Sequence, residues 1–299
     1  MSFPELTILL HQALEPRLVR LLELGRVEGW QHDPEGLHQV RVTSRRVRAV
    51  LDLVDPGVYP GFRHHERRLK RLTKALGATR ELDVHLIHLA AMKGRDPDPV
   101  HGALIEHVQD WLDRRRLKIC KPLVRELESL SIEELSGLLV DVTLPPVLVA
   151  TDQPQGAWRC LEPLVRRLQD SLPPLLEHED AEALHAFRIQ VKKLRYTLET
   201  LEPAFPAPLQ DWLQRLKSLQ TALGEHHDLA MLEAVLWELQ APLAERGRSI
   251  LAAASLDLLA AVAEERRGRY ERFRKQGKDF VAAMLFFNLR RMLLPGAAR

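Results

Sequence analysis

The chain repeats itself at a fixed distance, and this limits its fold more than any other feature. Residues 37–56 read LHQVRVTSRRVRAVLDLVDP, and residues 184–203 read LHAFRIQVKKLRYTLETLEP. His38 matches His185, Arg41 matches Arg188, Arg48 matches Arg195 and Pro56 matches Pro203, each pair 147 residues apart. Arg45 and Arg46 become Lys192 and Lys193, which keeps the charge. The same spacing carries Lys70 onto Lys217 and Leu76-Gly77 onto Leu223-Gly224, so LGATRELDV in the first half corresponds to LGEHHDLAM in the second. A constant offset over two motifs is the mark of a duplicated unit. It predicts two similar helical bundles, over 1–145 and 146–299, related by a pseudo-twofold axis or a translation.

The unit is helical. Leu, Val and Ile recur at three- and four-residue intervals nearly throughout, and period-two alternation is rare. The pattern predicts an all-α chain with helices at 5–28, 34–54, 59–76, 80–93, 99–129, 156–178, 180–201, 206–223, 226–245, 247–276 and 278–294. Asp55-Pro56-Gly57, Asp96-Pro97-Asp98-Pro99, Pro145-Pro146 and Glu202-Pro203 mark breaks. The proline-rich stretch 141–156 reads as the linker between halves.

On a helical wheel of 100° per residue, Leu37, Val40, Val47, Val50, Leu51 and Val54 form a buried stripe. His38, Arg41, Arg45 and Arg48 share another side. The second copy places Leu184, Phe187, Leu194, Leu198 and Leu201 inward, with His185, Arg188, Lys192 and Arg195 as its basic line. Arg46 and Lys193 lie off these lines and are weaker candidates. Like charges three and four residues apart repel, so a fold that keeps such a line twice needs something to neutralise it. Acidic neighbours or solvent are the ordinary answer for one charge run; duplication favours an anionic ligand.

Further basic faces support that reading. Arg63, Arg67, Lys70 and Lys74 share one helix face, and Arg114, Lys118, Lys121 and Arg125 share another. In the second half only Lys217 keeps the charge of the former set, since Gln210, Gln214 and Thr221 replace Arg63, Arg67 and Lys74. Arg266, Arg267 and Arg269 are added near the end. The expected surface is therefore stronger in the first half. Arg forks fit phosphate oxygens in bidentate geometry and Lys acts as a point charge, so alternating Arg and Lys suits a chain of repeating phosphates.

Composition sharpens this. The formal net charge of the 299 residues is only +2, so a polyanion site must come from sorting charges onto one surface. Aromatic residues make up 5%, and the basic lines contain none. Base stacking is therefore poorly supplied, and only weak, nonspecific nucleic-acid binding is expected. Cys120 and Cys160 form no metal, haem or disulfide pattern. No basic leader followed by a long apolar run opens the sequence, and no apolar stretch approaches the roughly 18 residues that span a bilayer. A cytoplasmic protein without cofactor or membrane contact is expected.

The two motifs, present twice and in order, resemble the CHAD family, the conserved histidine α-helical domain, over about residues 5–290. The resemblance implies an all-helical fold of two pseudo-symmetric four-helix bundles. It also implies binding of inorganic polyphosphate and association with polyphosphate granules or polyphosphate enzymes. The contact positions it implies are His38, Arg41, Arg45, Arg48 and Lys70, then His185, Arg188, Lys192, Arg195 and Lys217. His226-His227 departs from the family pattern in the second glycine motif.

A rival reading is a metal-dependent phosphohydrolase built on His226, His227 and Asp228, with His64 and His65 as further ligands. The repeat weighs against it, because Arg80 and Glu81 occupy the places of His227 and Asp228. A simple helix start, with Gly224 ending the preceding helix and the histidines solvated, is the plainer expectation. A third reading is a scaffold whose basic faces meet an acidic protein partner. No P-loop, nucleophile elbow or metal-hydrolase motif is present, so a binding module rather than an enzyme is expected. His38 and His185, each opening a basic line, are expected to donate to phosphate oxygens, with affinity rising as pH falls through the histidine range.

Overall fold

A computed structural model describes residues 3–29, 32–53, 62–128, 153–205, 209–282, 289–291 and 293–294. The regular elements are α-helices: α1 (Phe3–Arg26), α2 (Pro34–Leu51), α3 (Phe62–Lys93), α4 (Pro99–Glu128), α5 (Gln153–Glu177), α6 (Ala181–Leu201), α7 (Gln210–Glu245) and α8 (Ser249–Ala282). A short 3-10 turn, Glu202–Ala204, follows α6. The all-α expectation holds for the described residues. Residues 141–152 of the expected linker lie outside them, and 153–156 belong to α5.

The two motif helices begin alike. The Asp33 carboxylate accepts from the backbone N–H groups of Glu35 and Gly36, at 3.1 and 2.8 Å. Asp180 accepts from those of Glu182 and Ala183, at 2.9 and 3.0 Å. Each carboxylate satisfies orphan donors of the first turn and places negative charge at the positive end of its helix. The expected apolar stripes are buried: Leu37, Val40, Val47, Val50 and Leu51 on α2, and Leu184, Phe187, Leu194, Leu198 and Leu201 on α6. Val54 lies outside the described residues.

Three expected helix breaks are absent. The pairs 59–76 with 80–93, 206–223 with 226–245, and 247–276 with 278–294 were read as separate helices. Instead α3 runs through Gly77, α7 through Gly224 and α8 through Gly277. A glycine within a helix costs about 1 kcal/mol relative to alanine. Burying one leucine returns roughly 1.5–3 kcal/mol, so a helix anchored on both sides of its glycine does not break there. Gly277 also has a packing role, since a Cβ there would come within 2.5 Å of the Leu176 side chain.

Those long helices join two apolar cores. The larger is built from α1, α2, α5 and α6, from Leu69, Leu72 and Leu76 of α3, from the first part of α7 to Leu223, and from the end of α8. The smaller takes Leu82 and Leu89 of α3, the middle of α4, Leu229 to Leu243 of α7 and the first part of α8. Neither core is confined to one half of the chain. On α3 the changeover falls between Leu76 and Leu82, and on α7 between Leu223 and Leu229. The second sequence motif occupies these two changeovers, where polar side chains fill the gap between cores.

Candidate functional site

A cavity of about 260 Å³ opens at this junction. The motif helices supply His38, Arg41 and Arg45 from α2, and Arg188, Lys192 and Tyr196 from α6. Helix α3 adds Arg80 and Glu81, and α7 adds Gln220, Thr221, Gly224, Glu225, His227 and Asp228. The two basic lines, far apart in sequence, thus meet in one site. Helices α2 and α6 pack on each other, and their cationic faces turn into the same gap.

The cations there are poorly compensated. The Nε–H groups of Arg41 and Arg188 are buried without a hydrogen-bond acceptor among the described residues. Arg45 has its pKa lowered by burial, with Tyr196 beside it opposing the fall and Arg188 and Arg48 adding to it. Lys192 is only 8% exposed. Burial, then Arg188, Arg45 and Arg41, push its pKa down to about 5. Arg41 is pulled down to about 9 by burial, then by Arg45 and Arg188. Arg188 is lowered chiefly by burial, against the opposing field of Asp228 and Glu81.

The acidic residues of the cavity are partly engaged elsewhere. Glu225 accepts from Arg269 and Arg272, at 3.2 and 3.0 Å, and Glu81 lies 3.7 Å from His227. A buried cation without a partner costs far more than an exposed one. The arrangement is therefore one that an entering anion stabilises.

The remaining expected residues divide by environment. Arg48 is half-buried beside the cavity without lining it. Arg195 pairs with Glu199 at 3.3 Å and lies over the Tyr196 ring at 4.6 Å. Arg46 reaches Glu199 at 3.7 Å, and Lys193 reaches Asp52 at 3.5 Å, so both tie α2 to α6. Arg67, Lys70, Lys74 and Lys217 are exposed and do not line the cavity. The Arg63 side chain lies outside the described residues.

Arg114, Lys118 and Lys121 are exposed on α4, also away from the cavity. Helix α4 packs against α3 and α8 around the smaller core, which sets these side chains apart from the motif helices. Arg266 is held by Glu179 and by Glu233 at 2.8 Å. Arg269 is held by Glu225 and by Glu265 at 2.8 Å. These two arginines neutralise carboxylates rather than facing the cavity.

The histidines correct another expectation. His226 and His227 are not solvated at a helix start. His226 is 1% exposed, with Nε2 2.8 Å from Glu179 and Arg266 beside it. Burial lowers its pKa despite Glu179. His227 faces His185 instead, Nδ1 to Nδ1 at 3.0 Å. The two neighbours thus point to different partners. No group of three or more His, Cys, Asp or Glu side chains among the described residues is placed to hold a metal ion. His185 is driven down to about 4 by burial, then by His227 and Arg188. Its titration therefore falls below the ordinary histidine range, and so does that of His38, lowered first by burial and then by Arg80.

Sequence reasoning passed over Arg80, Tyr196 and Gln220 as site residues, and weighed Asp228 only as a metal ligand. The available signal was the second motif, whose glycines mark the place where α3 and α7 leave one core for the other.

Comparisons agree with this architecture. PptA from Streptomyces chartreusis superimposes with a TM-score of 0.68 at 19% identity, covering 91% of this chain and 99% of that one. The CHAD domain from the plant Ricinus communis gives 0.59 at 21%, covering 92% and 90%. Uncharacterized protein MT2285 of Mycobacterium tuberculosis is 27% identical over 293 residues, which is 86% of this chain and 54% of that protein. The chain thus spans about half the length of the curated relatives it matches. No described helix is long and apolar enough to cross a membrane. The model of the CHAD domain matches residues 12–237, both motif pairs included, and the chain belongs to the CHAD domain family.

Proposed function

We propose that this protein is a non-catalytic receptor for inorganic polyphosphate, and that the junction cavity is where the chain of phosphates enters. One observation carries the reading: Arg41, Arg45, Arg188 and Lys192 converge from two helices on one cavity with too few free carboxylates to balance them. A string of phosphates supplies closely spaced charge and acceptor oxygens on every side, and bidentate arginines suit it. Family membership supports the same ligand.

The exposed residues Lys70, Lys74, Lys217 and Arg67 would follow the chain outside the cavity, each contributing little. Nucleic acid fits less well. Among the described lining residues Tyr196 is the one aromatic ring apart from imidazoles, and Arg195 already lies over it. Internal duplication into halves 1–145 and 146–299 is part of this reading. It is supported by the equal spacing of the Asp33 and Asp180 caps and of the glycines in α3 and α7. Residence in the cytoplasm and association with polyphosphate granules follow from it as proposals.

The test is a titration of long-chain polyphosphate and of single-stranded DNA of matched charge, at near-physiological salt. It is run on the wild type, Arg41→Ala/Arg45→Ala and Arg188→Ala/Lys192→Ala. Polyphosphate binding that exceeds DNA binding and falls at least about tenfold in both variants is expected, since each charge-assisted contact is worth roughly 1.5–3 kcal/mol. Equal, strongly salt-dependent binding of both polymers would reduce the site to a generic polyanion surface. No binding of either would overturn the proposal.

A further inference from the structure

A second cavity, of about 330 Å³, lies between the middle of α4 and the C-terminal end of α7. It is roughly 20–25 Å along α7 from the junction, at 1.5 Å per residue between His227 and Pro242. Its walls divide by chemistry. Trp111, Leu239, Pro242 and Leu243 form an apolar side, while His107, Arg114 and Arg246 form a basic one. Arg248, which follows Gly247 in the left-handed turn (φ 70°) between α7 and α8, reaches His107.

The basic side is uncompensated. Glu238 also lines the cavity, but it accepts from Arg115 at 3.3 Å. Arg115 in turn lies 5.0 Å over the Trp111 ring. Arg114 donates only to the backbone carbonyl of Asp110, in its own helix. No carboxylate among the described residues pairs with Arg114, Arg246 or Arg248. The Arg248 Nη1 donates to His107 Nδ1 at 3.0 Å. A guanidinium cannot accept, so His107 Nδ1 is the acceptor and the imidazole proton sits on Nε2. That N–H remains as a further donor. The pKa of His107 lies below the ordinary value, through burial and then through Arg248, Arg114 and Arg246, with Asp110 opposing.

We infer that this cavity is a separate binding site for a nucleoside phosphate. The planar ring would sit against Trp111 and the leucines, and the phosphates on Arg114, Arg246 and the His107–Arg248 pair. An apolar floor with a few convergent polar groups is the common form of a small-ligand site, and this volume lies at the lower end of the ~300–1,000 Å³ range such sites occupy. A bare phosphate chain uses the arginines and leaves the apolar wall without a partner, which is why the nucleoside form is favoured.

ATP and inorganic tripolyphosphate are the probes. Each is titrated calorimetrically into the wild type, Arg114→Ala/Arg246→Ala, Trp111→Ala and Arg41→Ala/Arg188→Ala. The exposed arginines can be removed without disturbing the core, and circular dichroism checks the fold of every variant. ATP affinity is expected to fall roughly tenfold or more in Arg114→Ala/Arg246→Ala, the loss of at least one charge-assisted contact. It should fall several-fold in Trp111→Ala, and Arg41→Ala/Arg188→Ala, which disables the junction, should still bind ATP at one site. Tripolyphosphate affinity should ignore Trp111→Ala.

Absence of ATP binding at millimolar concentration overturns the inference. So does ATP binding that depends on Arg41 and Arg188 but not on Arg114 and Arg246. ATP binding indifferent to Trp111→Ala assigns the cavity to free phosphate and also overturns it. None of these outcomes bears on polyphosphate binding at the junction, which is read from the Arg41 and Arg188 variant.

Discussion

Gly224 of α7 faces the guanidinium of Arg188 so closely that a Cβ at position 224 would stand 3.5 Å from both Nε and Nη2. That is ordinary contact distance, so alanine fits and anything longer must displace the arginine. Gly224→Ala is expected to stabilise the helix by roughly 0.5–1 kcal/mol while keeping polyphosphate binding within a few-fold of wild type. Gly224→Leu is expected to abolish most binding by moving Arg188. Thermal melting and the same titration read both effects, and unchanged binding in Gly224→Leu would show that Arg188 is not held against the glycine.

Lys192 is held in a field of arginines away from water. Replacing it with methionine, of similar length and without charge, removes a desolvated amine. Lys192→Met is expected to raise unfolding stability by about 1–3 kcal/mol, the mutational scale for a polar group taken out of water, and to weaken polyphosphate binding. Chemical denaturation without ligand checks the first effect. A destabilised variant would mean that the amine makes contacts the fold needs.

The same residue predicts a proton linkage. Its native pKa, about 5, lies below the ordinary 10.5. Between these values the unfolded chain binds a proton that the native protein releases, so this group makes stability fall as pH falls through that window, levelling off below about 5. A phosphate chain beside the amine favours the charged form and raises its pKa. Binding at pH 7 should therefore take up close to one proton, and affinity should rise as pH falls from about 9 to 6. Calorimetry in buffers of different ionisation enthalpy measures the uptake, and Lys192→Met should remove it. The histidines do not replace it there, since His185 is displaced to about 4.

Asp83, from the second motif, has a structural task. Its carboxylate is 1% exposed and bonds Arg116 of α4, itself nearly buried. Burial raises the pKa of Asp83, and Arg116 opposes that rise. Asp83→Ala takes the carboxylate out of this buried ion pair and should cost about 3–5 kcal/mol of stability. Polyphosphate affinity of the folded fraction should be little changed. A loss below about 1 kcal/mol would show that water or another group takes over the guanidinium.

Much of this molecule can be read from its letters. Asp33 and Asp180 announce their helices, because a side-chain oxygen at that position satisfies local backbone donors. The stripe from Leu37 to Leu51 follows from the helical period. The duplication of His38, Arg41 and Arg45 as His185, Arg188 and Lys192 singles out the helices that meet at the junction. These features depend on neighbours within a few residues or on comparison of one segment with another.

What the letters left open depends on residues that meet only in three dimensions. Gly77 and Gly224 read as helix ends because a glycine weakens an isolated helix; two cores gripping both sides of each glycine reverse that. Arg46 and Arg195 look like their neighbours Arg45 and Lys192 in sequence, yet Glu199 engages the first two while the other two line the cavity. Arg266 resembles a ligand contact until Glu179 and Glu233 close on it. The sequence alone determined which faces are apolar and which are cationic, since both follow from periodicity. Only the tertiary structure decided which cations keep a carboxylate and which face a cavity, because that depends on distances between helices that are remote along the chain.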